Sequence, residues 1–255
     1  MQIQIITILI ILVSINPLKV TKSYMKQLVV PTCNYSYLNN TNTTPTQQNI
    51  NMLGNASVYA VLAGTTTTNS GNTTIVGCLG VSPSSDIAGT VLLIGGVSHA
   101  GDAHALNAQV SLMFAYNYFA KLTRGVDLTG INLAGLTLRP GVYRFSSSAF
   151  LSVGVLTLDA NGNADAEWVF QISSTLITSA FGSEVKVIGG GSPFNVYWQV
   201  GSSATIAENT LMAGNIIALT SISFGVNASL IGRAQACNGA VTMLSNLIAS
   251  APCEF

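Results

Sequence analysis

Two neighbouring stretches decide the fold of this chain: NIIALTSISFGVN at residues 215–227 and GRAQACNGAVTMLSN at residues 232–246. Each ends on an asparagine, as does the segment before them, so the stops at Asn209, Asn227 and Asn246 repeat with a period a little under twenty residues. A repeat of that size is typical of a solenoid, in which one coil is too small to bury a core and stability comes from stacking. The sequence therefore predicts stacked coils of short β-strands.

Apolar and small polar residues alternate within these repeats. Because successive side chains of a strand point to opposite faces, one set should line the interior and the other should lie outside. The residues expected inside are apolar: Ala204, Ile206, Ile222, Phe224, Val241 and Met243. The residues expected outside are small: Ser203, Thr205, Ser221, Ser223, Ala240 and Thr242. This alternation predicts a flat face on which Thr205, Ser223 and Thr242 lie in register.

One long helix is predicted ahead of these β segments, at about residues 102–123. The stretch GDAHALNAQVSLMFAYNYFAKLTRG carries Leu106, Val110, Met113 and Phe114 at helical spacing. Asp102 is a suitable N-cap residue for it. The pattern favours a helix that packs on the β segments through its apolar residues over a helix that holds a cofactor.

Composition limits what the surface of this chain can bind. Of the 255 residues, 49% are apolar, 7% are charged, and the formal net charge is zero. No basic stripe is available to neutralise phosphates, so we expect no nucleic-acid partner. Ordinary domains are about a quarter charged. The exposed surface must therefore consist of serine, threonine, asparagine, glutamine and glycine, as suits a folded β protein with hydroxyl and amide groups facing water.

The N-terminus contains an apolar run of the length found in secretory signal peptides. Residues 3–15 are an apolar run that is short for a membrane span, although no lysine or arginine precedes it. We expect a signal peptide at 1–22 with its cleavage site left open, and an uncleaved anchor is the alternative. Residues 23–51 form a polar, Asn/Thr-rich leader, and 52–255 form the folded domain. The predicted protein is extracellular and monomeric.

Sequons and cysteines agree with export. Six asparagines head an N-x-S/T triplet and are candidate N-glycosylation sites: Asn34, Asn39, Asn42, Asn55, Asn72 and Asn227. In an exported protein the four cysteines can form two disulfides, with all three pairings open and pairing itself undecided: Cys33, Cys78, Cys237 and Cys253. None has C-x-x-C spacing, which argues against a zinc site. We also expect no other metal and no cofactor.

Several long motifs, in order over about residues 57–247, resemble the microbial ice-binding proteins of the snow-mould antifreeze type. They are VLAGTTTTNSGNTTIVGCLGVSP, GDAHALNAQ, GLTLRPGVYRFSSSAFLSVGVLTLDANG, WVFQISSTLIT, NVYWQVGSSATI and GRAQACNGAVTM. The resemblance implies a mainly β fold: a discontinuous right-handed β-solenoid of triangular cross-section with the helix packed along one face. It also implies that the first coil packs beside the last.

The resemblance extends the small-residue rows. Family members usually have an inward valine at the position of Thr67, so Thr66 and Thr68 should face outward. The first row is then Thr68, Thr242, Ser223, Thr205, Ile177 and Phe150. The second row is Thr66, Ala240, Ser221, Ser203, Thr175 and Ser148. Going along both rows in this order, the face should change from hydroxylic to more apolar.

The resemblance implies adsorption to ice, with thermal hysteresis and inhibition of ice recrystallisation, and the residues support this physically. Adjacent strands lie about 4.8 Å apart, close to the oxygen repeat of ice. A flat patch of methyl and hydroxyl groups orders water without the strong hydration of charges, and ordered water can bridge to a surface. The rows contain no lysine, arginine, aspartate or glutamate. The expected partner is therefore the ice surface.

Three other functions remain open. The stretch DANGNADAE gathers oxygen ligands of the kind that calcium takes, but it lacks EF-hand spacing and a polar turn explains it better. A polysaccharide-acting enzyme is another alternative, since solenoids can be enzymes, but the acids here are few and dispersed. His99 and His104 flank Asp102 and could support acid–base chemistry, although no nucleophile accompanies them. The third alternative is a secreted structural or adhesive glycoprotein, since fold does not fix function. We expect a protein that is not an enzyme.

Overall fold

The computed structural model describes residues 52–250 as a mainly β fold with one α-helix. The expectations for residues 1–22 and 23–51, for Cys33 and Cys253, and for three sequons lie outside the described residues; those sequons are Asn34, Asn39 and Asn42. The strands form two sheets, one of fifteen strands and one of seven, in which the paired strands run parallel.

Strands are numbered along the chain. The fifteen-strand sheet contains β1 (Tyr59–Ala63), β3 (Thr73–Val76), β4 (Cys78–Val81), β6 (Val91–Ile94), β7 (Ser98–Ala100), β8 (Val126–Asp127), β9 (Thr137–Leu138), β10 (Gly141–Phe145), β12 (Gly154–Asp159), β13 (Trp168–Ile172), β15 (Ser183–Ile188), β16 (Val196–Val200), β18 (Leu211–Ala218), β20 (Ser229–Ala236) and β22 (Leu247–Ala249). The seven-strand sheet contains, in spatial order, β11 (Ala149–Leu151), β14 (Leu176–Thr178), β17 (Ala204–Ile206), β19 (Ile222–Phe224), β21 (Val241–Leu244), β2 (Thr66–Ser70) and β5 (Asp86–Ala88). Helix α1 is Ala103–Ala120, and two short 3-10 helices are Gly54–Val58 and Pro193–Asn195.

The predicted repeat is present in the strand pairing. Ala204 pairs with Ile222, eighteen residues later, and Ile222 pairs with Val241, nineteen residues later. Asn209 follows β17 and Asn227 follows β19, each at the corner where the chain turns. Their φ values of 55° and 57° lie in the left-handed region that asparagine tolerates.

The third stop differs by one residue from the sequence pattern. Ser245, with φ of 53°, takes the left-handed position that the pattern gave to Asn246. Asn246 itself is buried, and its Nδ2 donates hydrogen bonds to the carbonyl oxygens of Gly225 (2.8 Å) and Ala228 (3.0 Å) in the preceding repeat. The asparagine therefore links two repeats from inside the corner.

The spatial order of the strands departs from their order in the chain. β2 lies between β21 and β5, with Thr67 opposite Val241. In the other sheet β1 pairs with β20 and β3 pairs with β22. The N-terminal strands therefore close onto the C-terminal strands, which confirms the expectation that the first repeat packs beside the last.

Aromatic side chains of neighbouring strands stack in the core. Phe170 and Trp198, which are paired residues of β13 and β16, stack with ring centroids 4.0 Å apart. The Trp198 Nε1–H donates to the Ala213 carbonyl at 2.9 Å, and the Trp168 Nε1–H donates to the Leu138 carbonyl at 3.2 Å. Both indoles are fully buried, so these hydrogen bonds remove the cost of burying their N–H groups.

The buried face of α1 is not the one that the sequence pattern indicated. Leu106, Val110 and Phe114 are exposed by 50%, 50% and 73%. The buried residues are mostly small: Ala105, Ala108, Gln109, Leu112, Ala115 and Phe119. Apolar residues at helical spacing occur on both sides of this helix, and the alanine side lets its axis approach the sheet closely. The packing helix is confirmed, but its orientation was predicted wrongly.

Glutamines of the sheet supply hydrogen bonds to the segments packed on it. Gln171 Nε2 donates to the carbonyl oxygens of Phe119 (2.5 Å) and Leu122 (2.9 Å), at the end of α1. Gln235 Nε2 donates in the same way to Ala56 (2.6 Å) and Tyr59 (3.0 Å). The last carbonyls of a helix have no partner within the helix, so Gln171 acts as a C-terminal cap from another element.

The start of α1 is capped as predicted. The Asp102 carboxylate accepts the Ala105 N–H at 2.9 Å and contacts His99 Nδ1 at 2.7 Å. Partial burial opposes ionisation of Asp102, but the Ala105 N–H and His99 favour the carboxylate and hold its pKa below its usual value. The histidine neighbouring the helix therefore supports its cap.

The two described cysteines have different states. Cys78 is disulfide-bonded, whereas Cys237 is a free thiol that is 5% exposed. Burial raises the pKa of Cys237 to about 12, so the thiol is protonated and unreactive at neutral pH. The four cysteines therefore do not form two disulfides, because Cys237 packs as a free thiol in the core beneath α1.

Replacing Asp102 by alanine should lower the free energy of unfolding by about 1 kcal/mol, the usual value of an N-cap carboxylate. Equilibrium denaturation in urea measures this change. Asp165→Ala is the matched control, since Asp165 is exposed in a turn, and we expect it to change stability by less than about 0.5 kcal/mol. Equal effects of the two substitutions would contradict the capping role.

The cap also makes stability depend on pH. The pKa of Asp102 is lowered in the folded state, so its ionised form contributes stability above the ordinary aspartate pKa, and this contribution is lost as pH falls through the folded value. The stability difference between wild type and Asp102→Asn should therefore be constant near neutrality and shrink below about pH 4. Denaturation curves at a series of pH values test this; a difference that persists unchanged in acid would refute it.

Candidate functional site

The seven-strand sheet has one face turned to the core and one turned to solvent. The inward residues of six neighbouring strands are buried: Ala149, Leu176, Ala204, Ile222, Val241 and Thr67. The residues on either side of each point outward, because strand side chains alternate. We call this solvent-facing side of β11, β14, β17, β19, β21, β2 and β5 the outer face.

The first predicted row is present on the outer face. The sheet pairs its members in sequence: Phe150 with Ile177, Ile177 with Thr205, Thr205 with Ser223, Ser223 with Thr242, and Thr242 with Thr68. The Thr68 hydroxyl donates to the Thr242 hydroxyl at 3.2 Å. Residues 174 positions apart in the chain are thereby joined side by side, and the change from hydroxylic to apolar side chains follows the predicted direction.

The second predicted row lies parallel to the first. The N–H of the residue after each row member donates to the carbonyl of the next row member: Ala149 to Thr175, Leu176 to Ser203, Ala204 to Ser221 and Ile222 to Ala240. These backbone hydrogen bonds keep the row members in register. Side chains add further bonds along the row. Ser148 and Thr175 hydroxyls are 2.7 Å apart, and the Ser203 and Ser221 hydroxyls accept the N–H groups of Ser221 and Ala240. Much of the row is thereby held in fixed rotamers.

One strand of the outer face was missed by the sequence analysis. β5 pairs with β2 on the side away from β21, with Asp86 opposite Thr66 and Ala88 opposite Thr68. Ile87 packs against the core, while Asp86 and Ala88 are exposed. The alternation of this short segment was the available signal, but three residues are too few to separate it from a loop. The second row therefore ends in a carboxylate.

Thr67 occupies the inward position that the sequence analysis assigned to it. It is 1% exposed, and its Oγ1 has no hydrogen-bond partner among the described residues. Its neighbours in the row of inward residues are Val241 and Ile87. A buried hydroxyl without a partner destabilises a core.

Three sequons fall in the described region. Asn227 and Asn72 are exposed at corners that follow strands β19 and β2, where the chain leaves the outer face. Asn55 is half-buried in the 3-10 helix beside α1. Two of the three candidate glycosylation sites thus lie at the edge of the outer face.

The acidic stretch DANGNADAE forms a turn. The Asp159 carboxylate accepts the Asn161 N–H at 2.8 Å and pairs with Arg139 at 3.0 Å, and Asn163 Oδ1 accepts the Asp165 N–H. These oxygens are occupied by backbone and by an arginine. Within residues 52–250 no group of three or more His, Cys, Asp or Glu side chains is placed to hold a metal ion.

The two histidines form a small cluster at the start of α1. The rings of His99 and His104 have centroids 4.9 Å apart, and the Tyr59 ring lies edge-on to His99 at 5.8 Å. Burial and then the Asp102 charge raise the pKa of Tyr59, so this phenol stays protonated. The Asp102 carboxylate is engaged by the helix cap, which gives the cluster a structural role.

Replacing Thr67 by valine should raise the free energy of unfolding by about 1 kcal/mol, because it removes an unpaired buried hydroxyl and keeps the shape. Thr178→Val is the matched control. Thr178 is also buried, but its Oγ1 bonds Thr210 (3.0 Å) and the Ala207 N–H (2.8 Å), so the same substitution there should destabilise the protein. Thermal unfolding measures the stability change in both variants. A destabilised Thr67→Val would show that the Thr67 hydroxyl has a hydrogen-bond partner.

Comparisons with known proteins agree with these features. Residues 61–249 match the family model described as Ice-binding-like. The ice-binding protein of Nostoc sp. (strain HG1) is 49% identical over 205 residues, which cover 79% of this chain and 75% of the relative. Within residues 52–250, no helix combines the length and apolar character needed to cross a membrane.

Two solved structures have the same fold. An ice binding protein from an Antarctic Biological Consortium is 41% identical with a TM-score of 0.73, covering 85% of this chain and 96% of that one. The ice-binding protein of the Antarctic ascomycete Antarctomyces psychrotrophicus is 34% identical with a TM-score of 0.74, covering 79% and 98%. The family model covers most of the chain, and these relatives cover more than two thirds of it, so the chain belongs to the ice-binding-like family.

Proposed function

We propose that this chain is an ice-binding protein that adsorbs to ice through the outer face, producing thermal hysteresis and inhibiting ice recrystallisation. The observation that carries the proposal is the pair of in-register rows of small side chains. The residues assigned to ice contact are Thr66, Thr68, Ser203, Thr205, Ser221, Ser223, Ala240, Thr242, Thr175 and Ile177.

Strand spacing gives these rows their relation to ice. Paired strands lie about 4.8 Å apart, so equivalent hydroxyls recur at that interval across the sheet. Waters bound at this interval resemble one direction of the ice lattice and can bridge the protein to the crystal at small entropic cost. The hydrogen bonds Thr68–Thr242 and Ser148–Thr175 restrict rotation of the hydroxyls, which favours an ordered water layer.

The chemistry of the rows suits a weakly hydrated surface. In the six strands from β11 to β2, both rows consist of serine, threonine, alanine, isoleucine and phenylalanine. Such side chains allow the surrounding water to take the geometry of the crystal, whereas a charge would fix its own shell. Ile177 and Phe150 add apolar area at one end, where Phe150 is 49% exposed.

The two parallel sheets are consistent with a more specific architecture. We infer a discontinuous right-handed β-solenoid of triangular cross-section with α1 along one face. The eighteen- to nineteen-residue pairing interval, the parallel strands and the closure of β2 onto β21 support it. Stacked repeats suppress sheet twist, which would keep the outer face flat.

Secretion fits a protein whose target is ice outside the cell. We propose that residues 1–22 are a signal peptide, that 23–51 are a polar leader and that 52–255 form the ice-binding domain, which acts as a monomer. Glycans on Asn227 or Asn72 would project from the corner next to the outer face. They would then reduce access to ice at that edge.

Replacing Thr242 by tyrosine should reduce thermal hysteresis to a small fraction of the wild-type value. Thr242 lies in the first row with Ser223 on one side and Thr68 on the other, so a large ring there would hold the whole face away from a flat crystal. Thermal hysteresis is measured as the gap between melting and freezing temperature of a single crystal in purified protein.

Thr137→Tyr is the matched control for this experiment. Thr137 is an exposed threonine of β9 in the fifteen-strand sheet, so the same substitution there should leave thermal hysteresis unchanged. Both variants should retain the wild-type melting temperature of the protein. Loss of activity in Thr137→Tyr with retention in Thr242→Tyr would place the ice-binding surface elsewhere.

A further inference from the structure

β5 extends the outer face by a seventh strand, and this strand differs chemically from the other six. Its outward residues are Asp86 and Ala88, in register with Thr66 and Thr68 of β2. Ala88 continues the first row as a small side chain, as Ala240 does in the second. Asp86 places a carboxylate where every other member of the second row is serine, threonine or alanine.

The Asp86 carboxylate is open to water. The residue is exposed, and neither ion pair within residues 52–250 involves it; those pairs are His99–Asp102 and Arg139–Asp159. Its hydrogen bond in this segment is made by its backbone N–H to Ser84 Oγ at 3.3 Å. An ionised carboxylate with free oxygens binds several waters strongly and in its own geometry.

We propose that Asp86 sets the boundary of the ice-contacting surface, and that its charge excludes β5, and with it Ala88, from contact with ice. This inference rests on the proposed function. The carboxylate is one strand spacing, about 4.8 Å, from the Thr66 position, so its hydration shell reaches the end of the second row. Ice contact therefore ends at β2, although the backbone of the flat sheet continues one strand further.

The position of Asp86 also explains why a charge is tolerated there. β5 is the last strand in the order of the seven-strand sheet, so its outer backbone groups have no strand beside them among the described residues. Charged side chains on edge strands discourage pairing with a second molecule. Asp86 thus limits the adsorbing area and protects an exposed edge.

The test removes the charge in two ways: Asp86→Asn keeps the size of the side chain, and Asp86→Ser reduces it to that of its neighbours. Asp86→Asn, and Asp86→Ser as the variant that copies the rest of the row, should raise thermal hysteresis at equal monomer concentration. The expected gain is about 1.2-fold, the ratio of seven strands to six. Asp86→Glu keeps the charge and should match the wild type.

Two further measurements separate the possible outcomes. The monomer fraction is isolated by size exclusion before each assay, so that edge pairing in the uncharged variants does not hide a gain. Thr242→Tyr is measured in parallel. If Thr242→Tyr abolishes activity and Asp86→Asn leaves it unchanged or lower, the boundary role of Asp86 is wrong while the outer face stands. If Thr242→Tyr has no effect, the proposed function of the outer face itself fails.

Discussion

Parallel, in-register pairing across the seven-strand sheet is the constraint on which the rest of this structure depends. Once Ile222 is opposite both Ala204 and Val241, every inward side chain stacks on an inward one and every outward side chain on an outward one. A shift of one residue would bring Ser221 and Thr242 into the core and expose Ile222 and Val241. Burial of apolar residues therefore fixes the rows of the outer face, without any requirement that the outward residues attract one another.

The same pairing explains how a strand from the start of the chain comes to lie beside the last strand of the C-terminal repeats on this face. β2 is held between β21 and β5, and its neighbours β1 and β3 make equivalent contacts to β20 and β22. The junction is reinforced by side chains: Gln235 binds the carbonyls of Ala56 and Tyr59, and Arg233 binds the Ser57 carbonyl and Asn215. These buried hydrogen bonds give the closure a specific register in addition to apolar contact.

The sequence predicted what local patterns encode. The period, the inward and outward residues of β17, β19 and β21, and the N-cap at Asp102 follow from alternation and capping rules, and the structure confirms each of them. The position of Thr68 beside Thr242, and of Thr66 beside Ala240, came from the resemblance, because a pairing across 174 residues leaves no local signal. The exposed side of α1 was predicted wrongly, because Leu106, Val110 and Phe114 have the spacing of a buried apolar stripe. The structure instead packs the opposite, alanine-rich side against the sheet. Asp86 was missed because three residues carry too little periodicity.

Solubility and adsorption place opposite demands on the edge of this face. Adsorption favours a wide, uncharged and flat sheet, since each added strand adds waters that match the crystal. Solubility disfavours the same surface at its margin, because an unpaired, flat strand is a template for another molecule. In this chain the two demands are met at different strands: β17, β19, β21 and β2 carry the small hydroxylic residues, and β5 carries the carboxylate. The length of the uncharged rows is then set by the position of Asp86. The number of strands in the sheet is only an upper limit on that length.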